Sequence, residues 1–124
     1  MEERDALSER VIGCAIEVHR SLGPGLLESA YEQCLAHELS LNRIEFRMQV
    51  PMPIAYKSIR LDCGFRLDLV VEDELLIELK SVEKVLPIHE SQLLTYLKLS
   101  GLRTGLLINF NERRLVEGIR RYKN

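Results

Sequence analysis

The stretch Phe65–Ser81, FRLDLVVEDELLIELKS, decides the fold. It reads as two short strands around a charged turn. Phe65, Leu67, Leu69 and Val71, then Leu75, Ile77 and Leu79, place apolar side chains at every second position. That period predicts a sheet with one buried face. The other face carries Arg66, Asp68 and Val70, then Leu76, Glu78 and Lys80. Glu78 and Lys80 share a face because they are two residues apart on one strand. Asp68 joins them only if the hairpin loop has an odd number of residues, such as Glu72-Asp73-Glu74, or a bulge. A two-residue loop would send Asp68 to the opposite side.

Two carboxylates converging beside a lysine suit metal-assisted phosphodiester chemistry. Carboxylate oxygens are hard ligands for Mg²⁺ or Mn²⁺. Such a cation neutralises phosphate charge and helps to generate hydroxide from water. An ammonium group can orient that water or stabilise developing negative charge. The plainer alternative is an ordinary ion pair on a surface hairpin, since short motifs match often by accident.

Outward from this hairpin, the chain of 124 residues is long enough for one compact domain and too short for two. Its 46% hydrophobic and 29% charged residues are ordinary for a globular protein. A domain of this size buries roughly two-thirds of its unfolded surface and needs no staple. A net charge of −2 and an isoelectric point near 5.9 argue against a strongly basic nucleic-acid coat. They leave room for a nuclease, because a metal supplies local positive charge. Cys14, Cys34 and Cys63 are odd in number and widely spaced, which predicts reduced, mostly buried thiols in a cytoplasmic protein. The charged start Met1–Asp5 and the short apolar runs predict neither a signal peptide nor a membrane span.

Towards the N-terminus, Leu7, Val11, Cys14, Ala15, Val18 and Leu22 predict a helix from about Arg4 to Ser21, with His19 as a satisfied structural histidine at its edge. Gly23-Pro24-Gly25 breaks it. Leu27, Ala30, Tyr31, Cys34, Leu35 and Leu39 predict a second helix from about Leu26 to Leu41, closed by Asn42 in a left-handed conformation. Glu28 lies one turn from Tyr31, near the buried face of that helix. The alternative for Glu28 is an ordinary first-turn glutamate favoured by the helix dipole. Ile44–Val50 reads as a strand, with Pro51 and Pro53 marking an edge or strand end. Ile54–Tyr56 and Ile59–Leu61 read as extended around Lys57-Ser58.

On the C-terminal side, Pro87 starts a third helix over about Ile88 to Ser100, ended by Gly101. His89, Gln92 and Tyr96 share one polar face of it. That face holds substrate or water, or is simply solvated. Thr104–Phe110 reads as a strand buried on both faces. Arg113–Tyr122 reads as a last strand, whose Arg113, Arg114, Arg120, Arg121 and Lys123 either contact phosphates or form a solvated edge. The order α-α-β-β-β-β-α-β-β predicts one α/β or α+β domain with a mixed sheet.

Gly25-Leu-Leu-Glu28-Ser-Ala-Tyr31 resembles the pattern of the GxxExxY proteins. The resemblance continues through Arg66-Leu-Asp68, Glu78-Leu-Lys80, Gln92-Leu-Leu-Thr-Tyr96 and Gly105-Leu-Leu-Ile-Asn109-Phe110. Those proteins resemble compact members of the PD-(D/E)XK nuclease superfamily, and the Gln92-to-Tyr96 spacing is similar to the QxxxY motif of its RecB-like and lambda-exonuclease-like branches. The resemblance implies a single domain over residues 1–124, with a mixed central sheet flanked by helices in a restriction-endonuclease-like core. It implies Asp68 and Glu78 as ligands of Mg²⁺ or Mn²⁺, with the Leu79 carbonyl completing the set. It implies Lys80 as the catalytic lysine and Glu28 as an additional acid that meets the metal. Gln92 and Tyr96 would orient substrate phosphate or the attacking water. The implied activity is a nuclease acting on DNA or RNA, without membrane attachment and compatible with a homo-oligomer. A catalytically inactive nucleic-acid-binding or protein-interaction module is the other reading. Leu67 stands where many superfamily members carry proline before the first acid.

Overall fold

The computed structural model describes residues 5–124. Arg4, where the first helix is expected to begin, lies outside them. Helix α1 covers Ala6–Leu22 and α2 covers Glu28–Leu41. The strands are β1 Phe46–Pro51, β2 Ile54–Tyr56, β3 Ile59–Leu61, β4 Arg66–Val71 and β5 Leu75–Lys80. Helix α3 is Pro87–Ser100, followed by β6 Thr104–Asn109 and β7 Ile119–Lys123. Five strands therefore separate α2 from α3, one more than the sequence order predicts. Ile54–Tyr56 and Ile59–Leu61, the two stretches expected to be extended around Lys57-Ser58, pair as a separate two-stranded hairpin, and the predicted order is short by one of them.

The main sheet runs β1-β4-β5-β6-β7. Only β5 and β6 are parallel, and α3 is the crossover between them. The other pairs are antiparallel, so the sheet is mixed. The β4–β5 hairpin pairs Val71 with Leu75 and Leu69 with Ile77 around the loop Glu72–Glu74. Glu72 and Asp73 both adopt positive φ there, at 52° and 55°. Three loop residues give the parity that puts Asp68 and Glu78 on one side.

Helices cover both faces of this sheet, as the family resemblance implies, whereas the alternation of the hairpin alone predicts one buried face. On one face α1 and α2 pack Val11, Ala15, Tyr31, Leu35 and Leu39 against Leu69, Ile77, Leu79 and Ile108. On the other, Leu93 and Leu97 of α3 cover Val70, Leu76 and Leu107. The even-numbered face of the hairpin is thus divided. Its apolar half, Val70 and Leu76, lies under α3, and its polar half, Asp68, Glu78 and Lys80, lies at the open end of the strands. Gly105 allows the close helix contact, since a Cβ there would lie 3.0 Å from a Leu97 methyl. Strand β6 is buried along its whole length, as its apolar run predicts.

Several local features differ from expectation. Asn42 closes α2 with φ −96°, and the left-handed residue is Arg43 at φ 57°. Leu27 and Cys34 of the expected α2 stripe are exposed, and so is Cys63, leaving Cys14 as the one buried thiol among the described residues. Leu115–Gly118 forms a 3₁₀ turn before β7, so the last strand is shorter than its charge pattern suggests. Arg120 pairs with Glu90 at 2.9 Å and Arg121 with Glu9 at 3.5 Å, so part of that cationic group ties β7 to the helices. His19 is buried and its Nε2 lies 2.7 Å from the Glu112 carbonyl, a structural role. No helix among the described residues is long and apolar enough to cross a membrane.

Candidate functional site

The β4–β5 ladder stops at Leu69 and Ile77. Beyond it the strands part, and carboxylates take over the hydrogen bonds. The Leu79 N–H donates to Asp68 Oδ2 at 2.8 Å, and the Asp68 N–H donates to Glu78 Oε1 at 3.3 Å. On the far side of β5, the Lys80 carbonyl accepts from the Phe110 N–H. Backbone groups alternate along a strand, so the Leu79 carbonyl turns the other way, towards Asp68. Two carboxylates and one carbonyl therefore converge on the gap between β4 and β5.

Glu78 is 8% exposed. Burial first, and the charge of Asp68 second, push its carboxyl up to about 9. Burial disfavours the ionised form and a neighbouring carboxylate adds repulsion. Without a cation the pair is one in which Glu78 holds a proton and is hydrogen-bonded to Asp68. Lys80 is half-buried beside them and partly offsets the repulsion.

Glu28 reaches the same field from the first turn of α2. Burial raises its carboxyl, Lys80 lowers it, and Asp68 and Glu32 raise it again. The approach of Glu28 follows from the residues around it. Gly25 takes φ 101°, a conformation that strains any side chain, and reverses the chain into α2. The Tyr31 hydroxyl then donates to the Gly23 carbonyl at 2.5 Å and accepts from the Leu26 N–H at 3.1 Å. Its ring stacks on Phe110, with centroids 4.4 Å apart. The G25-x-x-E28-x-x-Y31 spacing is thus a latch: the tyrosine pins the turn that presents the glutamate. Ser81, directly after β5, donates to the Leu26 carbonyl and joins that turn to the hairpin.

Tyr96 of α3 feels Glu78 and Asp68 as well. Burial first, then those two charges, raise its hydroxyl above its ordinary value. Gln92 is exposed one turn earlier and lines a cavity of about 230 Å³ with Tyr96. His89, expected on the same polar stripe, serves α3 itself, since its Nδ1 accepts from the Leu86 N–H at 3.0 Å.

Two participants carry no signal in the sequence reading. Glu32 lies one turn beyond Glu28, is buried, and binds Gln49 Nε2 through both oxygens at 2.8 and 3.0 Å. Burial raises its carboxyl, Gln49 lowers it and Asp68 raises it. Gln49 takes φ 50° and interrupts the β1–β4 pairing between Met48–Leu69 and Val50–Leu67. The i, i+4 relation to Glu28 is the one sequence feature that singles Glu32 out.

Among the described residues no three His, Cys, Asp or Glu side chains form a ready-made cation cluster. The expected trio of Asp68, Glu78 and Glu28 is therefore a close pair with a third acid coupled through the field. The donor set still fits a hard divalent cation. Mg²⁺ keeps several waters and takes one or two carboxylates together with substrate phosphate, not an all-protein cage.

The family model of the PD-(D/E)XK nuclease superfamily matches residues 5–122. No curated protein matches the chain, and no solved structure does. With a mixed sheet between helices and the paired acids at the open end of its central hairpin, the chain belongs to the PD-(D/E)XK nuclease superfamily.

Proposed function

We propose that the protein is a metal-dependent nuclease that hydrolyses phosphodiester bonds of DNA or RNA. The observation that carries this reading is the Asp68–Glu78 pair, which replaces the strand ladder beside Lys80 and opposite the Leu79 carbonyl. Asp68, Glu78 and the Leu79 carbonyl would hold Mg²⁺ or Mn²⁺, with Glu28 as an additional acid beside them. When bound, such a cation neutralises phosphate charge and lowers the pKa of a coordinated water. Lys80 orients the attacking water and stabilises the negative charge that develops on the phosphate. Gln92 and Tyr96 orient the substrate phosphate from α3. Glu32 and Gln49 hold α2 against β1, which keeps Glu28 within the field of Lys80. Free Cys34 and Cys63 on the surface suit a reducing, cytoplasmic setting.

Single- and double-stranded DNA and RNA, incubated with Mn²⁺ or with EDTA, test the activity. Cleavage that needs Mn²⁺ and disappears in Lys80→Ala supports it. The absence of a three-acid cluster among the described residues and the net charge of −2 favour a second reading, an inactive nuclease-like binding module. Binding of nucleic acid without cleavage under any divalent cation would establish that reading instead.

A further inference from the structure

Beside the paired acids, between α3, strand β2 and the segment that leads into β4, lies a cavity of about 230 Å³. Its walls are the aromatic rings of Phe65 and Tyr96 and the aliphatic side chains of Ile54 and Ile88. Gln92 and Thr95 supply polar groups along one edge. Phe65 is 40% exposed, and its ring stands 6.4 Å from that of Tyr96 at 57°. It lies three residues before Asp68, roughly 10 Å along an extended strand. We propose that this cavity receives an unpaired nucleobase, and that the substrate is therefore single-stranded nucleic acid. The inference rests on the nuclease reading and names the substrate class of the same site.

A flat ring with polar edges matches a cleft with apolar walls and an amide and a hydroxyl on one side. In a duplex both faces of a base are stacked and its edge is paired, so only an unstacked base reaches such a cleft. Charge supports the same choice. Duplex binding is dominated by cations on phosphates, and in this chain 17 lysines and arginines are outnumbered by 19 aspartates and glutamates. Two of the C-terminal arginines are already paired with Glu90 and Glu9. Stacking on aromatic rings accepts any base and adds binding beyond what backbone cations supply.

The test uses end-labelled oligonucleotides with Ca²⁺ in place of Mg²⁺, their integrity checked on a gel. A single-stranded DNA, its RNA counterpart and a blunt duplex of the same sequence are compared by anisotropy. At least one single strand should bind more tightly than the duplex. Phe65→Ala should weaken that binding by roughly 5- to 100-fold, the contribution of one stacked base, and leave any duplex binding unchanged. The chain contains no tryptophan, so Phe65→Trp gives a single reporter whose emission the bound strand should quench. Equal affinity for duplex and single strands, or an unchanged single-strand affinity in Phe65→Ala with no quenching in Phe65→Trp, overturns the inference. Metal-dependent cleavage without single-strand preference would overturn this inference alone. Single-strand binding lost in Phe65→Ala, without cleavage in Mn²⁺, would support the base site and overturn the nuclease reading.

Discussion

Replacing Glu78 with glutamine should stabilise the metal-free protein and flatten its dependence on pH. In the folded chain burial and the Asp68 charge push the Glu78 carboxyl up to about 9, from an ordinary 4.5. Between those values the folded state keeps the proton and the unfolded state releases it. The unfolded state then binds fewer protons, so stability falls as pH rises through this window. The slope approaches about 1.4 kcal/mol per pH unit. From pH 6 to pH 8 this single carboxyl accounts for up to roughly 3 kcal/mol. For a domain of this size that is a fall in Tm on the order of 10 °C. Thermal melts in EDTA at pH 6, 7 and 8 measure it for wild type and Glu78→Gln. The variant should melt higher at pH 8 and show a much smaller slope. Glu28 and Glu32, which are also raised, leave a residual slope of the same sign. With Mn²⁺ the wild-type slope should largely disappear, because the cation displaces the proton and Glu78 is then ionised in both states across this window, whereas the variant should respond little. Parallel Tm curves for the two proteins in EDTA would refute the buried, protonated Glu78.

Other expectations follow from single contacts. Tyr31→Phe removes the hydroxyl shared by Gly23 and Leu26, and should cost about 1–3 kcal/mol in urea unfolding; a loss within error would remove the latch from the account of Glu28. Asn109 is fully buried, accepts from the Val82 and Asn111 N–H groups and donates to the Val82 carbonyl. Asn109→Ala should cost about 2–4 kcal/mol and speed amide exchange at Val82, two residues after β5. Gly118→Ala should be more damaging than Gly105→Ala. At Gly118 the new methyl collides with the rigid Asn109 carbonyl, and at Gly105 it meets only leucine methyl groups; equal Tm losses would contradict this ranking.

The hairpin was legible because alternation and loop parity are local properties of seventeen residues, 65–81. They carry Asp68 to the side of Glu78 before any tertiary contact is known. The second buried face of the hairpin was not legible in its alternation, since Val70 and Leu76 share that face with Arg66, Asp68, Glu78 and Lys80 and only the docking of α3 covers them. Gly118 lies against the backbone of Asn109, a distant contact that forms the 3₁₀ turn where the pattern suggested strand. Glu32 reads like any helical glutamate until Gln49, seventeen residues away, is folded against it. The left-handed backbone of Gln49 has no signature in its residue type, because glycine or asparagine is the usual occupant. His89 was placed on the right helix face, but its bond to Leu86 depends on cap geometry that periodicity does not encode.

Anomalous diffraction from crystals soaked in Mn²⁺ tests the central claim most directly. A peak bonded at about 2.0–2.2 Å to Asp68, Glu78 and the Leu79 carbonyl, absent in Asp68→Ala, is the predicted result. A fully soaked crystal with no peak between those two carboxylates would contradict it.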